Sequence, residues 1–99
     1  MALSSQVIKS FADKRTERLF ARELVRSLPA SLWRVMLRKL VVVDAAEELD
    51  DLRIPPDNRL EKLKGERAGQ YSIRINEQWR VCFRWENGDA NDVQIVDYH

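Results

Sequence analysis

From Gly69 onward the apolar residues of this chain recur at every second position. Tyr71, Ile73 and Ile75 alternate with Ser72 and Arg74. Trp79, Val81, Phe83 and Trp85 alternate with Arg80, Cys82 and Arg84, and Val93 and Ile95 flank Gln94. A period of two belongs to a strand with one buried face, because successive side chains project to opposite sides of a sheet. Three such runs, separated by short polar segments, predict three half-buried antiparallel strands. Their apolar face has to be covered by something else in the chain.

The preceding residues supply the cover. Val7 to Phe11 is a short candidate strand, and the pattern turns helical at Asp13. Thr16, Phe20, Leu24 and Leu28 recur every four residues, with Arg15, Arg18, Arg22 and Arg26 elsewhere on the wheel. Ser27-Leu28-Pro29 ends this helix and begins another, since proline suits a first helical turn and disfavours helix before it. The second helix is expected from about Pro29 to Glu47, with Leu32, Val35, Met36, Leu40 and Val43 on one face. Together the two form an αα-hairpin. Leu52 to Asn58, with Pro55-Pro56, is expected as a loop, and Arg59 to Gly65 as a helical turn broken by its glycine. The fold class is therefore α+β, with two N-terminal helices packed on one face of a small, mainly antiparallel sheet.

With 99 residues the chain is expected to form a single domain, 1–99, because a core needs roughly 100 residues and a second would starve it. The net charge of +1 sets up no global field toward nucleic acid. Its distribution is uneven. Arg53 to Arg84 holds eight basic residues against four acidic ones, whereas Trp85 onward holds four acids and no Lys or Arg. Cys82 is the one cysteine and His99 the one histidine. An internal disulfide and a Cys/His zinc set are excluded, and no other metal or cofactor signature occurs. There is no membrane-span or signal-peptide pattern, so a cytoplasmic location is expected.

Register converts the strands into a surface. Opposed residues of an antiparallel pair share a face. Matching the apolar faces sets Ile75 against Trp79, Ile73 against Val81 and Tyr71 against Phe83, with Asn76-Glu77-Gln78 as a three-residue loop. A one-residue slip would bury Arg80. The same matching sets Trp85 against Val93 and Phe83 against Ile95, which places Asn87-Gly88 inside a longer loop. On the other face Arg74 then opposes Arg80, Gln70 opposes Arg84, and Arg80 opposes Tyr98. Two arginines facing each other repel; either an anionic partner relieves them or solvent screens them.

The residue types on this face permit phosphate chemistry. Arg80 offers a planar fork of donors that keeps its charge. Lys64, before Gly65, is placed to reach the rim, unless Lys62 and Lys64 are a solvated pair. Tyr98 can donate a hydrogen bond or stack on a base. His99 titrates near neutral pH without help, and Glu61 is a candidate base. Cleavage of RNA through its own 2′-hydroxyl needs a proton acceptor, a proton donor and cations at the phosphate, with no metal. A surface that only binds is the alternative left open by residue types.

The stretch Leu63-Lys64-Gly65-Glu66-Arg67-Ala68-Gly69-Gln70-Tyr71-Ser72-Ile73-Arg74-Ile75-Asn76, then Gln78-Trp79-Arg80-Val81-Cys82-Phe83, then Asp97-Tyr98-His99, resembles the HigB-type toxins of the RelE/ParE superfamily. Ile8-Lys9-Ser10-Phe11 is similar to that family's first strand. The resemblance implies a type II toxin that enters the 30S ribosomal A site and cleaves mRNA there, leaving a cyclic phosphate and arresting translation and growth. It implies a HigA-like helix-turn-helix antitoxin as partner, operator DNA bound only through that antitoxin, and no membrane. The positions carried over as catalytic are Lys64, Arg80, Tyr98 and His99, with Glu61 on the base side. Asp97 orients the chain end, and Arg74, Arg84, Lys62 and Arg67 are expected to bind RNA. One departure stands out. Relatives carry a Leu-His-Pro-Leu-Lys-Gly pattern, whereas here Leu60-Glu61-Lys62-Leu63-Lys64-Gly65 places Glu61 where they have histidine. With an intrinsic pKa of about 4.3 a glutamate is a poor acid at neutral pH, which shifts proton donation toward His99. Two rival functions are a ParE-like inhibitor of DNA gyrase and a weak toxin acting mainly as the antitoxin's corepressor.

Overall fold

A computed structural model describes residues 6–98. Helix α1 (Lys14–Phe20) starts where Asp13, in extended conformation, accepts the Thr16 N–H at 2.9 Å, the side-chain capping expected of Asp at this position. Thr16 is itself buried, and its hydroxyl accepts the Ile95 N–H at 2.9 Å, tying the helix to the sheet.

The first helix is much shorter than its periodicity predicts. Arg22 takes a left-handed backbone (φ 64°). Its N–H bonds the Leu19 carbonyl and that of Glu23 bonds the Arg18 carbonyl, both at 2.9 Å. This is a Schellman terminus built on arginine instead of glycine, so no sequence signal announces it. The chain then leaves the helical path, and Leu24, expected on the core face, is 71% exposed. Leu28 still reaches the core, by a non-helical route.

Helix α2 (Trp33–Ala45) follows a 3-10 turn at Ala30–Leu32. Met36, Leu40 and Val43 are buried along one side of it, with Leu32 and Val35 half-buried. Together with Leu19 they pack on Ile73, Val81, Phe83, Val93 and Ile95 of the sheet. Leu52–Asn58, expected as a loop, holds the end of one 3-10 turn (Leu49–Arg53) and all of another (Pro56–Asn58).

Asn58, fully buried, locks this segment. Its amide donates to the carbonyls of Leu52 and Ile54, at 3.1 and 3.3 Å, and its Oδ1 accepts from the Lys39 ammonium. Burial holds that ammonium below the usual lysine range; Arg38 pushes the same way and Asp57 opposes. The folded protein therefore releases this proton at lower pH than the unfolded chain, whose lysines titrate near 10.4. Between the two values the unfolded state binds more protons, so stability rises as pH climbs through that alkaline window. In urea denaturation across the alkaline range, the stability of the native protein relative to Lys39→Met should therefore increase with pH. Parallel pH curves for the two proteins would contradict this.

The sheet is four-stranded and antiparallel, ordered β1 (Glu61–Lys62), β2 (Gln70–Arg74), β3 (Trp79–Glu86), β4 (Asp89–Asp97). β1 lies within the segment expected to be a helical turn. Pairing of Glu61 with Ser72 and Lys62 with Tyr71 wins over the weak local helical tendency. At the other edge, residues near Ile8 and Phe11 bridge β4 in parallel, so the candidate first strand covers that edge.

The β2–β3 register is the one the apolar faces require, with Tyr71 opposite Phe83, Ile73 opposite Val81 and Arg74 opposite Arg80. Asn76 organises the three-residue loop by accepting the N–H groups of Gln78 and Trp79, each at 2.8 Å. The β3–β4 register corrects the expected one. Asn87 (φ 53°) and Gly88 (φ 80°) form a two-residue turn after all, and Glu86 opposes Asp89. Two positive φ values in succession suit an Asn-Gly pair. A bulge past Cys82, with Asp92 left-handed at φ 53°, restores the face alternation. Val81 consequently opposes Ile95, and Val96, not Tyr98, opposes Arg80. Beyond the bulge the pairing is offset from the expected one by two residues, so Val93, Ile95 and Tyr98 keep their expected faces while their partners change; between the bulge and the turn the offset is three.

Candidate functional site

The sheet face turned away from the helices carries Glu61, Ser72, Arg74, Arg80, Cys82 and Arg84. Glu61, Ser72 and Cys82 are aligned across three strands by direct pairing, and Arg74 opposes Arg80. Ser72 and Cys82 are fully buried, so this face has a closed floor. Burial pushes the Cys82 thiol up, against the opposing pull of Arg67 and Arg80. That keeps Cys82 a protonated thiol and a poor nucleophile.

Arg80 is the centre of the arrangement. Its side chain is only 13% exposed. One terminal nitrogen lies 3.1 Å from a Glu61 carboxylate oxygen, and the other donates to the Arg59 carbonyl at 3.0 Å. The guanidinium carbon lies 5.5 Å from the centre of the Tyr98 ring, within cation–π range. Among the described residues, the Arg80 Nε and the Ser72 hydroxyl are buried without a hydrogen-bond partner. Buried polar atoms are rarely left so, and both of these lie on one face of the sheet.

Tyr98 reaches this position differently from the register expectation. It stands diagonal to Arg80, held by its N–H to the Gln78 carbonyl at 2.6 Å, and is 40% exposed. Asp97 opposes Trp79 and so lies on the helix side of the sheet, but at its exposed margin, where Gln78 donates to it at 3.2 Å. A concavity of about 690 Å³ also lies on that side, lined by Arg15, Arg26, Trp33, Trp79 and Asp97 among others. It excludes Arg80. His99 lies outside the described residues.

The remaining sequence candidates divide. Arg67 donates to Gln70 at 3.1 Å, and Arg84 pairs with Asp92 at 3.3 Å. Arg74 forms no ion pair among the described residues. Lys64 is exposed and precedes Gly65, whose φ of 67° turns the chain from β1 toward β2. Lys62 is the exception. Paired with Tyr71, whose ring stacks toward Phe83 in the core, it projects to the opposite side of the sheet from Arg80. Sequence reasoning missed Arg59, which contributes a backbone carbonyl. Its left-handed φ of 46° follows the Asn58 lock, and the only hint is the turn-rich Pro55-Pro56-Asp57-Asn58 preceding it.

The architecture matches that of a solved chain in the YoeB-YefM complex from Staphylococcus aureus, with a TM-score of 0.59 over 93% of this chain and 97% of that one. Identity there is 16%, so this likeness defines the fold class only. The chain belongs to the HigB-like toxins, the RelE-like toxins of the type II toxin-antitoxin system HigB, whose family model matches residues 9–99. It is 43% identical over 86 residues to Toxin HigB-1 of Vibrio cholerae serotype O1, covering 86% of this chain and 90% of that protein. It is 34% identical over 93 residues to Endoribonuclease HigB of Proteus vulgaris, covering 94% of this chain and 100% of that protein.

Proposed function

We propose that this toxin is an endoribonuclease that cuts mRNA in the ribosomal A site and is held in check by a cognate helix-turn-helix antitoxin in the cytoplasm. The observation that carries the reading is Arg80. It is a nearly buried guanidinium within cation–π range of a half-exposed tyrosine, on the sheet face opposite the apolar core. Such a pair suits an RNA backbone beside an unstacked base. The relative named as an endoribonuclease supports the same activity.

The substrate 2′-hydroxyl attacks phosphorus, passing its proton to a phosphoryl oxygen polarised by Arg80, as the 5′-oxygen leaves, giving a 2′,3′-cyclic phosphate and a 5′-hydroxyl. Arg80 and Lys64 stabilise the charge that builds on the phosphoryl oxygens. Tyr98 positions the nucleotide, and His99 protonates the leaving oxygen. Arg67, Arg74 and Arg84 hold the flanking backbone, and Asp97 orients the chain end through Gln78. The Glu61 carboxylate is already engaged by Arg80, which argues against a free general base. Neither acid–base transfer nor charge stabilisation here requires a metal.

Mapping mRNA 5′ ends after brief induction tests the reading. New ends within translated regions are expected. Intact mRNA with DNA damage signalling would identify a gyrase inhibitor, and neither effect would favour a corepressor.

A further inference from the structure

We infer that Glu61 is an internal stand-in for the RNA phosphate, a carboxylate that occupies the Arg80 fork until substrate displaces it. The inference rests on the RNA-binding reading of this face. Both terminal nitrogens of Arg80 are taken, but by partners of different kinds. The Arg59 carbonyl is backbone, held by the anchored Asn58 turn, and cannot move away freely. The Glu61 oxygen belongs to a side chain that is 58% exposed, on a strand of two residues at the sheet edge. One half of the fork is therefore fixed and the other exchangeable.

The exchange balances in charge, since one anion leaves the guanidinium as another arrives. Before it, Glu61 offsets the repulsion between the opposed Arg74 and Arg80 and keeps Arg80 aimed over Tyr98. After it, the phosphate takes that role. Because Glu61 competes for the same donor, it weakens RNA binding and makes part of the affinity insensitive to salt. A phosphate that merely replaces a carboxylate releases fewer counterions than one meeting a bare cation.

Three proteins test this: Glu61→Gln, Arg80→Ala and the double variant. The probe is a fluorescein-labelled single-stranded 2′-O-methyl RNA, which binds but has no 2′-hydroxyl to react. Glutamine keeps the shape and an acceptor for Arg80 but removes the competing charge. Glu61→Gln should bind about 1.5- to fivefold more tightly, as expected for loss of a competing, partly solvated ion pair. Its plot of log affinity against log salt should be steeper by about 0.7. On the Arg80→Ala background the gain should vanish, because the interaction is pairwise. Equal or weaker binding by Glu61→Gln overturns the inference, as does an equal gain with Arg80 absent, which would report only a less acidic surface.

Cleavage of mRNA on purified ribosomes separates this from the nuclease reading. At limiting toxin Glu61→Gln should cut faster, in proportion to its affinity gain. A loss of about a hundredfold or more at saturating toxin, the mark of a missing general base, overturns the inference. An Arg80-dependent gain in binding without cleavage by any protein would retain it and refute the nuclease reading instead.

Discussion

Replacing Arg80 with alanine is expected to lower mRNA cleavage by about 10²- to 10³-fold, the loss typical of removing one preorganised donor to a developing oxyanion. Growth inhibition on expression should disappear with it. The protein should remain folded, because Arg80 lies on the face away from the apolar core and Ile73, Val81 and Ile95 remain packed. Single-turnover cleavage in a translating extract, beside a thermal melt of the same preparation, measures both parts. A folded Arg80→Ala protein that arrests growth as the native one does would refute the site. Arg80→Lys should recover only part of the loss, since an ammonium lacks the planar fork that spans the Arg59 carbonyl and an anion at once.

Asn58→Ala should have the largest effect on stability, about 2–4 kcal/mol, because it strands a buried lysine and two carbonyls. For a domain of this size that corresponds to a fall in Tm of roughly 10–25 °C. Removing the charge as well, in Lys39→Met/Asn58→Ala, should return part of the loss, as coupled neighbours do in a double-mutant cycle. Strict additivity of the two single changes would show that the ammonium and the amide do not interact. Cleavage should also drop in Asn58→Ala beyond what unfolding explains, because the Arg59 carbonyl would no longer be held against Arg80.

The strands illustrate why some features are readable along the chain and others are not. Alternation placed Arg74, Arg80 and Arg84 on one face and Val81 and Phe83 on the other, because the two-residue period is a property of any extended backbone. It also paired Arg74 with Arg80, since only one register buries both apolar faces. At Tyr98 the β3–β4 pairing differs by two residues from the one that alternation predicts. A bulge costs little locally, and nothing near Asp92 signals one. Helix α1 is shorter than its periodicity predicts for a related reason: the apolar spacing continues through Leu24, while the backbone turns at Arg22.

The catalytic proposal shows the same division. Arg80, Lys64, Tyr98 and Glu61 stand out by chemical type, but their mutual contacts do not. Arg22 and Arg59 occupy left-handed backbone that their own preferences disfavour, whereas Asp92 is of a type that tolerates it. At Arg59 the adjoining Asn58 lock depends on Lys39, 19 positions earlier in the chain. Local chemistry thus sufficed for the α+β class, the buried face and the pool of cationic residues opposite it, since each follows from periodicity and side-chain type. The partner of each Arg80 nitrogen, the diagonal seat of Tyr98 and the displacement of Lys62 to the far side needed the folded chain. They depend on long-range contacts that hold disfavoured backbone in place, and no single segment encodes those.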